Sequence, residues 1–546
     1  MKQTKLSVIS TLSAAFGWGL TALAQPVAAP PPTPPAPAAA VPAAPGATTP
    51  EAAPAAPTPP AATEASAATE APAPPAPVEA PPPSPAPADA APVPPPAAAE
   101  PLAGTPAADT MGPNDPLAGF SGDTAYLRSA DNEFVLMPGG RLQVDGYFFK
   151  RDTDKMPTPS ILLRRARLEL AGWVGKWFFY NLAGDFALGA PSGPDPVAQS
   201  WLATTDDFVG IAPWGTNVAM LQVGQFDAPF TLENRTSDKY FDFMERSITV
   251  RAFGIPSNKE TGAMVNGLLP NKGLYYSLGL FDGDGQNFRN TDSKFDVMGR
   301  AWVAPFALAG EKSLEDVTVG GSVWLGNRGD NGLKLASQTT QGGFTFFDPA
   351  WKLASGSGVE VHQHGKLRAF ALELNAPIEH KYGVRVEYVH KTQDLAVTDA
   401  TAAAGGTFTP LGDAKLRGWA MYGEVYAWLV GDDKILPAPG LELQPRLKKF
   451  ETKAPRHGVM LAARVDHLNE TMETNATLSA DKASGTRKIT AIEFGANYWY
   501  SKRYRATFNY VLNLLDGTAG GVADAEKKLD GKKNEHEFLF RLAIAL

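Results

Sequence analysis

The chain has 546 residues, 57 acidic and 49 basic, with a formal net charge of −8 and no cysteine. That length holds one large domain with material to spare. The lack of cysteine excludes disulfides, thiolate metal sites, a cysteine nucleophile and a lipid-modified N-terminal cysteine.

Residues 1–24 read as a secretory signal peptide. Lys2 and Lys5 open it, an apolar run follows from Leu6 to Leu23, and Ala22-Leu23-Ala24 before Gln25 fits a small-residue cleavage site. The other reading is an uncleaved anchor, but Ser7, Ser10, Thr11 and Ser13 dilute the run. After Gln25 no apolar stretch approaches the length of a transmembrane helix. A membrane-spanning mature chain must then cross as a closed barrel, since only that saves strand edges from unpaired polar groups in lipid.

Residues 25–115 form a low-complexity tract of alanine and proline. Runs such as Pro30-Pro31-Pro32 and Pro81-Pro82-Pro83 forbid helix, because proline lacks the backbone donor and clashes with the preceding turn. Few large apolar side chains are available to bury, so the expectation is a disordered segment of polyproline II character. At about 3 Å per residue it reaches roughly 200 Å or more when extended. It reads either as a spacer toward a periplasmic or wall partner or as an inert linker; composition does not separate the two. From Pro26 to Leu127 there is no lysine or arginine, while Glu51, Glu64, Glu70, Glu79, Asp89, Glu100, Asp109, Asp115 and Asp123 are acidic. The excess negative charge therefore sits in this tract, and the remainder is near neutral.

Residues 116–546 are expected to fold as an all-β domain. From about Asp131 the texture becomes short alternating segments. Leu142, Val144 and Phe148 fall on one face with Gly146; Arg141, Gln143, Asp145 and Tyr147 fall on the other. Ala166, Leu168 and Leu170 oppose Arg165, Arg167 and Glu169, and Phe178, Tyr180, Leu182, Phe186 and Leu188 oppose Asn181 and Asp185. Further strands are predicted near 197–205, 218–226, 260–269, 273–281, 295–304, 316–326, 366–375, 382–391, 416–430, 458–468, 488–500, 503–513 and 536–546. That makes about sixteen, at lengths suited to a tilted bilayer crossing. Tight junctions at Gly175-Lys176, Pro270-Asn271-Lys272 and Ser501-Lys502 contrast with long ones at 227–259, 327–365, 392–415 and 431–457. Short turns at one rim and long loops at the other are the barrel habit.

A soluble sandwich would also alternate, but it would bury an unpaired charged face. A transmembrane antiparallel barrel with a wet lumen removes that conflict, and closure removes the sheet edges. Trp173, Trp177, Tyr498, Trp499 and Tyr500 near strand ends suit interfacial girdles. The last segment places Phe538, Phe540, Leu542, Ile544 and Leu546 on one face.

Several local patterns together resemble the phosphate-selective porin O and P family. They are Gly139-Gly140-Arg141-Leu142-Gln143, Leu163-Arg164-Arg165-Ala166-Arg167-Leu168-Glu169, Val223-Gly224-Gln225-Phe226, Pro229-Phe230-Thr231-Leu232-Glu233, Thr236-Ser237 and Met244-Glu245-Arg246. Weaker echoes are Arg300-Ala301-Trp302-Val303-Ala304-Pro305, Tyr422-Gly423-Glu424-Val425 and Asn497-Tyr498-Trp499-Tyr500. The resemblance spans about 131–546 and leaves the Ala/Pro tract outside. It implies sixteen strands, a homotrimer in outer-membrane lipid, and a constriction where arginine and lysine strip water from inorganic phosphate or another small anion. It implies that Arg164 and Arg165 are constriction arginines, Arg246 an anion-binding arginine on an inward third loop, and Ser237 a hydroxyl ligand. The same stretch offers Arg167, Arg235 and Lys239. Two positions depart from the family: Asn234 stands where it has lysine, beside Arg235, and Asp238 where it has a second serine. A carboxylate there repels phosphate unless an arginine holds it. The terminal Leu546 replaces the family's phenylalanine.

The residues alone argue in the same direction. Guanidinium forks match oxyanions and stay charged, and rings of arginine or lysine select anions in pores. By parity Arg165, Arg167, Arg300, Arg385, Arg464 and Arg505 face the lumen, but so do Glu169, Asp296, Glu387, Asp466 and Glu493. These arginines therefore either bind a ligand or brace the wall. An anion channel, a general diffusion channel, a structural anchor with a wall-binding tether, and a barrel hydrolase using His390 or His467 are the competing readings. Sparse histidine and absent cysteine count against an enzyme, and no cofactor, metal or nucleic acid is expected. His362 and His364 read as a loop pair without a third ligand. The inward fold of 227–259, with charges from Asp227 to Arg251, is expected to meet the second strand's arginines.

Overall fold

A computed structural model describes residues 111–121, 124–150, 157–187, 203–214, 218–269, 272–330, 332–347, 351–352, 358–399, 408–441, 456–476, 485–517 and 533–546. Residues 1–110, with the expected signal peptide and almost all of the Ala/Pro tract, lie outside the described residues. Among those described, no helix is long and apolar enough to cross a membrane.

A hairpin comes first, β1 (Ala118–Ser121) and β2 (Thr124–Arg128). Then follow β3 (Phe134–Phe149), β4 (Ser160–Val174), β5 (Phe178–Asp185), the two-residue β6 (Ala203–Thr204), β7 (Asp207–Ile211), β8 (Met220–Asp227), β9 (Lys259–Leu268), β10 (Leu274–Phe281), β11 (Asp296–Val303) and β12 (Thr318–Arg328). A small hairpin β13 (Gln338–Thr339) and β14 (Thr345–Phe347) and the short β15 (Trp351–Lys352) precede the long strands β16 (Gly358–Ile378), β17 (Tyr382–Asp399), β18 (Gly412–Val430), β19 (Arg456–Thr474), β20 (Gly485–Ser501), β21 (Tyr504–Gly517) and β22 (Asn534–Ala545). Sixteen of these, β3–β5, β7–β12 and β16–β22, form one closed antiparallel barrel. Closure is the pairing of β22 with β3, from Phe538↔Phe148 to Ile544↔Leu142. Leu546 continues it, exchanging backbone bonds with Gly140.

The period-two pattern explains this shape. Leu168, Leu170, Leu182, Val223, Leu278, Leu325, Leu372, Val465, Phe494 and Phe540 are exposed on the outer wall. Their neighbours in sequence are buried or half-buried, and many are charged. In a bilayer the outer set meets acyl chains and the inner set must find partners inside. β4 breaks the period once. The register passes from Gln143↔Arg165 to Val144↔Leu163, so Arg164 is the extra residue of a β-bulge. A bulge lets two consecutive side chains serve one face, which brings both Arg164 and Arg165 to the lumen.

The structure corrects several expectations. Of the strand predicted at 197–205, residues 197–202 lie outside the described residues and Ala203–Thr204 is β6; the ladder against β5 continues in β7, at 207–211, where Asn181 pairs with Phe208. Gly210 fits that pairing, since a Cβ at this position would lie 2.2 Å from Phe179 Cζ. The predicted loops 327–365 and 392–415 lose their ends to strand, because β16 begins at Gly358, β17 reaches Asp399 and β18 begins at Gly412. Chain order places the 431–455 connection on the rim of the short turns, not among the long loops. His362 is a buried strand residue whose Nδ1 contacts the Gly332 carbonyl at 2.9 Å, not a solvated loop residue. The lumen is also less wet than expected: Phe226, Phe230, Phe253, Phe344 and Phe347 bury against Trp324 and Leu539 inside the barrel. Two inward-folded segments supply Phe230, Phe253, Phe344 and Phe347, while Phe226 and Trp324 come from the wall strands β8 and β12.

Candidate functional site: the lumenal constriction

The first inward segment is 228–258, between β8 and β9. Wall carboxylates hold its backbone. Glu387 of β17 accepts from the amides of Leu232 (2.5 Å) and Glu233 (3.1 Å) while Tyr422 donates its hydroxyl to the same carboxylate at 2.9 Å. Two strands along the same wall, Asp466 of β19 accepts from the amides of Ile248 and Thr249, and from the Thr249 hydroxyl at 2.6 Å. These amides open the short helix Ile248–Phe253, whose N-cap Ser247 accepts from Val250 N. A carboxylate fits there because first-turn amides have no intrahelical partner. Arg464 ties the loop again, donating to Glu233 at 2.9 Å and to Glu493 at 2.8 Å.

Between these anchors the loop presents two carboxylates to the arginines of β3, β4 and β22. Asp238 is held by Arg141, by Arg165 Nε at 2.8 Å, and lies 3.9 Å from Arg167 Nη1. Glu245 sits 3.2 Å from Arg164 Nε, 3.6 Å from Arg165 Nη2 and 3.0 Å from Arg541 Nη2. Burial alone would raise the Glu245 carboxyl, but Arg164, Arg165 and Arg541 outweigh it and hold it well below the usual carboxylate range. Arg541 also forks onto Asp145 with two contacts of 2.7 Å. Lys239 reaches Glu169 at 2.6 Å, and Arg167 reaches Asp185 at 2.7 Å. Burial and the neighbouring Arg141 pull the Lys239 ammonium down to about 8, against the opposing pull of Glu169.

The sequence-predicted residues therefore divide into two groups. Arg164, Arg165, Arg167 and Lys239 come together around Asp238, Glu245 and Glu169, as an inward loop requires. Arg246 does not join them. It donates to the carbonyls of Glu233 (3.2 Å), Asn234 (3.4 Å) and Thr236 (3.2 Å) and lies over the Phe241 ring at 4.7 Å, so it shapes the loop from within. Arg235 is buried and donates to the Asp227 carbonyl. Ser237 is half-buried and lines the cavity beneath. Asn234 spends its amide on the carbonyls of Ala228 (2.9 Å) and Asn258 (3.2 Å). Arg141 and Arg541 were missed as site residues, although parity places both inside.

That cavity, about 820 Å³, opens beneath the loop on the short-turn side, between Arg235, Ser237, Lys239, Arg385, Trp302 and Trp428. Part of the 431–455 connection enters it. Gly440 donates its amide to the Thr236 hydroxyl at 2.8 Å and accepts from Arg300 Nη1 at 2.5 Å. The second inward segment lies on the long-loop side. Gln341 donates to Glu493 at 2.5 Å, Gly342 N donates to Glu537 at 2.9 Å, and Arg251 donates to the Thr339 hydroxyl at 2.6 Å. Two loops and one turn segment thus narrow the lumen. Nothing in the sequence marked 338–347 or 431–441 as lumenal, because neither has a period or a charge density to read. Among the described residues no group of three His, Asp or Glu is placed to hold a metal ion.

The family model of the phosphate-selective porin O and P family matches residues 138–339. No curated protein matched the sequence. Among solved structures, the outer-membrane channel DcaP of Acinetobacter baumannii shares 11% identity at a TM-score of 0.41, over 77% of this chain and 99% of that one. Outer-membrane expressed OmpT of Vibrio cholerae shares 11% identity at a TM-score of 0.43, over 77% and 100%. The anion-selective porin from Comamonas acidovorans shares 11% identity at 0.40, over 75% and 99%. Likenesses this distant carry no functional argument. The family match covers β3 to β13, the bulged arginine pair and the inward loop. On that match and its own pairing, the chain is a closed antiparallel barrel of sixteen strands, similar over residues 138–339 to the phosphate-selective porin O and P family.

Proposed function

We propose that the protein is a passive channel for small anions, oxyanions such as phosphate among them, working as a homotrimer. The observation that supports this reading is the convergence of Arg141, Arg165 and Arg167 on one carboxylate, Asp238, with Lys239 next in the chain. Guanidinium forks gathered on a single oxyanion are the arrangement that takes inorganic phosphate. Here the chain supplies the oxyanion itself, so a permeating anion enters by displacing or sharing the Asp238 contacts. That predicts weaker phosphate preference than a serine at this position would give.

A second reading has its own observation. Buried carboxylates outnumber buried basic groups among the described residues, which fits a general diffusion channel whose arginines brace the wall. Purified protein in a planar bilayer separates the two. Under a potassium chloride gradient the anion reading expects a reversal potential of the anion sign, and added phosphate should reduce the chloride current. A reversal potential near zero or of the cation sign, with no effect of phosphate, replaces the anion reading with general diffusion. In the same reading residues 1–24 are removed on export, and 25–115 act as a spacer before the barrel of 116–546.

A further inference from the structure

The outer wall of β16–β19 carries an ordered change of chemistry toward the long-loop rim. One register row is apolar: Leu374, Val386, Gly423 and Val465. Two residues nearer the loops come Leu372, Tyr388, Met421 and His467, and then Phe370, His390, Trp419 and Asn469. Their rings stack across strands. Phe370 and His390 centroids are 5.3 Å apart at 20°, Tyr388 and Trp419 6.3 Å apart at 21°, and Trp419 and His467 5.1 Å apart. Aromatic residues at this boundary mark headgroup depth. The next row is Arg368, Thr392, Arg417 and Thr471.

Arg368 and Arg417 are both exposed, on opposite sides of Thr392. They lie two strand spacings apart, roughly 10 Å. Neither has an ion-pair or hydrogen-bond partner among the described residues. The nearest acids in register are one row further out, where Asp394 holds Lys415 at 3.2 Å and Glu473 pairs in register with Lys415. This contrasts with the lumen, where arginine after arginine meets a carboxylate.

We infer that this wall binds the phosphorylated headgroup of an acylated glycolipid in the leaflet on the long-loop side. The anion these guanidinium groups lack must lie at headgroup depth, directly above rows that acyl chains cover. Two guanidinium groups about 10 Å apart suit two phosphates on one disaccharide better than the single phosphate of a glycerophospholipid. Thr392 offers a hydroxyl for the sugar between them, and Asn469, beyond Arg417, an amide. Electrostatic attraction of cationic residues to anionic headgroups is strong near the membrane surface. The inference does not depend on what permeates the lumen.

The test uses the full chain, folded in mixed micelles and titrated with a bisphosphorylated, acylated glucosamine disaccharide. Bound lipid is read by native mass measurement and barrel stability by heat-modifiable mobility. The wild type should bind and be stabilised. The Arg368→Gln/Arg417→Gln double variant should need roughly tenfold or more lipid for half-saturation, as loss of two charge-assisted contacts implies. Arg289→Gln, an exposed loop arginine, should behave as wild type. Equal binding by the double variant overturns the site. Equal binding of the dephosphorylated disaccharide, or of phosphatidylglycerol, by the wild type overturns the assigned ligand.

Discussion

Replacing Asp238 by asparagine keeps the side chain's shape and removes one charge from a cluster of three arginines and one lysine. The lost carboxylate lies 2.8 Å from Arg165 Nε and 3.9 Å from Arg167 Nη1, besides its contact with Arg141. An anion passing about 6 Å away gains roughly 0.7 kcal/mol at a dielectric of 80 and about 3 kcal/mol at 20. With about 1.4 kcal/mol per tenfold, anion preference should rise at least about threefold. The barrel should also lose stability at low salt, because a broken buried ion pair leaves charge uncompensated. Phosphate in solution should restore that stability by occupying the vacated position. Reversal potential in a salt gradient reads the first effect, and heat-modifiable mobility with and without phosphate reads the second. If Asp238→Asn folds, keeps the wild-type reversal potential and gains nothing from phosphate, the arginines brace the wall and the anion reading fails.

Three further outcomes are expected. Lys239 is pulled down to about 8, so its positive charge disappears as pH rises through that value; anion preference should fall between about pH 7 and 9, and Lys239→Gln should flatten that profile. Asp466→Ala removes the acceptor for two helix amides and the Thr249 hydroxyl; with about 1.5–3 kcal/mol per bond to a charged group, the loop should loosen and open-channel noise should increase in single-channel records. Gly440 has φ +66, and a Cβ there would stand 2.6 Å from Arg300 Nη2; Gly440→Ala costs about 1–2 kcal/mol in backbone strain, should push the segment out of the cavity, and should raise single-channel conductance. Unchanged conductance in that variant would show that the segment does not narrow the pore.

What the sequence determined by itself was the barrel and the sidedness of its walls. Period two is a local property, so Leu168 outward and Arg167 inward follow from alternation once closure is required. The inward third loop was legible too, from the family resemblance together with the charges it carries from Asp227 to Arg251. Who pairs with whom emerges only in the folded barrel. Asp238 meets Arg141, Arg165 and Arg167 across about 70–100 residues of chain, and Arg541 meets Asp145 across 396. Such pairings depend on strand register and on where a loop crosses the lumen, which no local pattern encodes. Arg246 shows the same limit. Its place in a family motif suggested a ligand, yet the fold of its own loop turns the guanidinium onto three carbonyls. The bulge at Arg164 is the clearest case: strict alternation would send that side chain to lipid, and one extra residue in the ladder brings it to Glu245 instead.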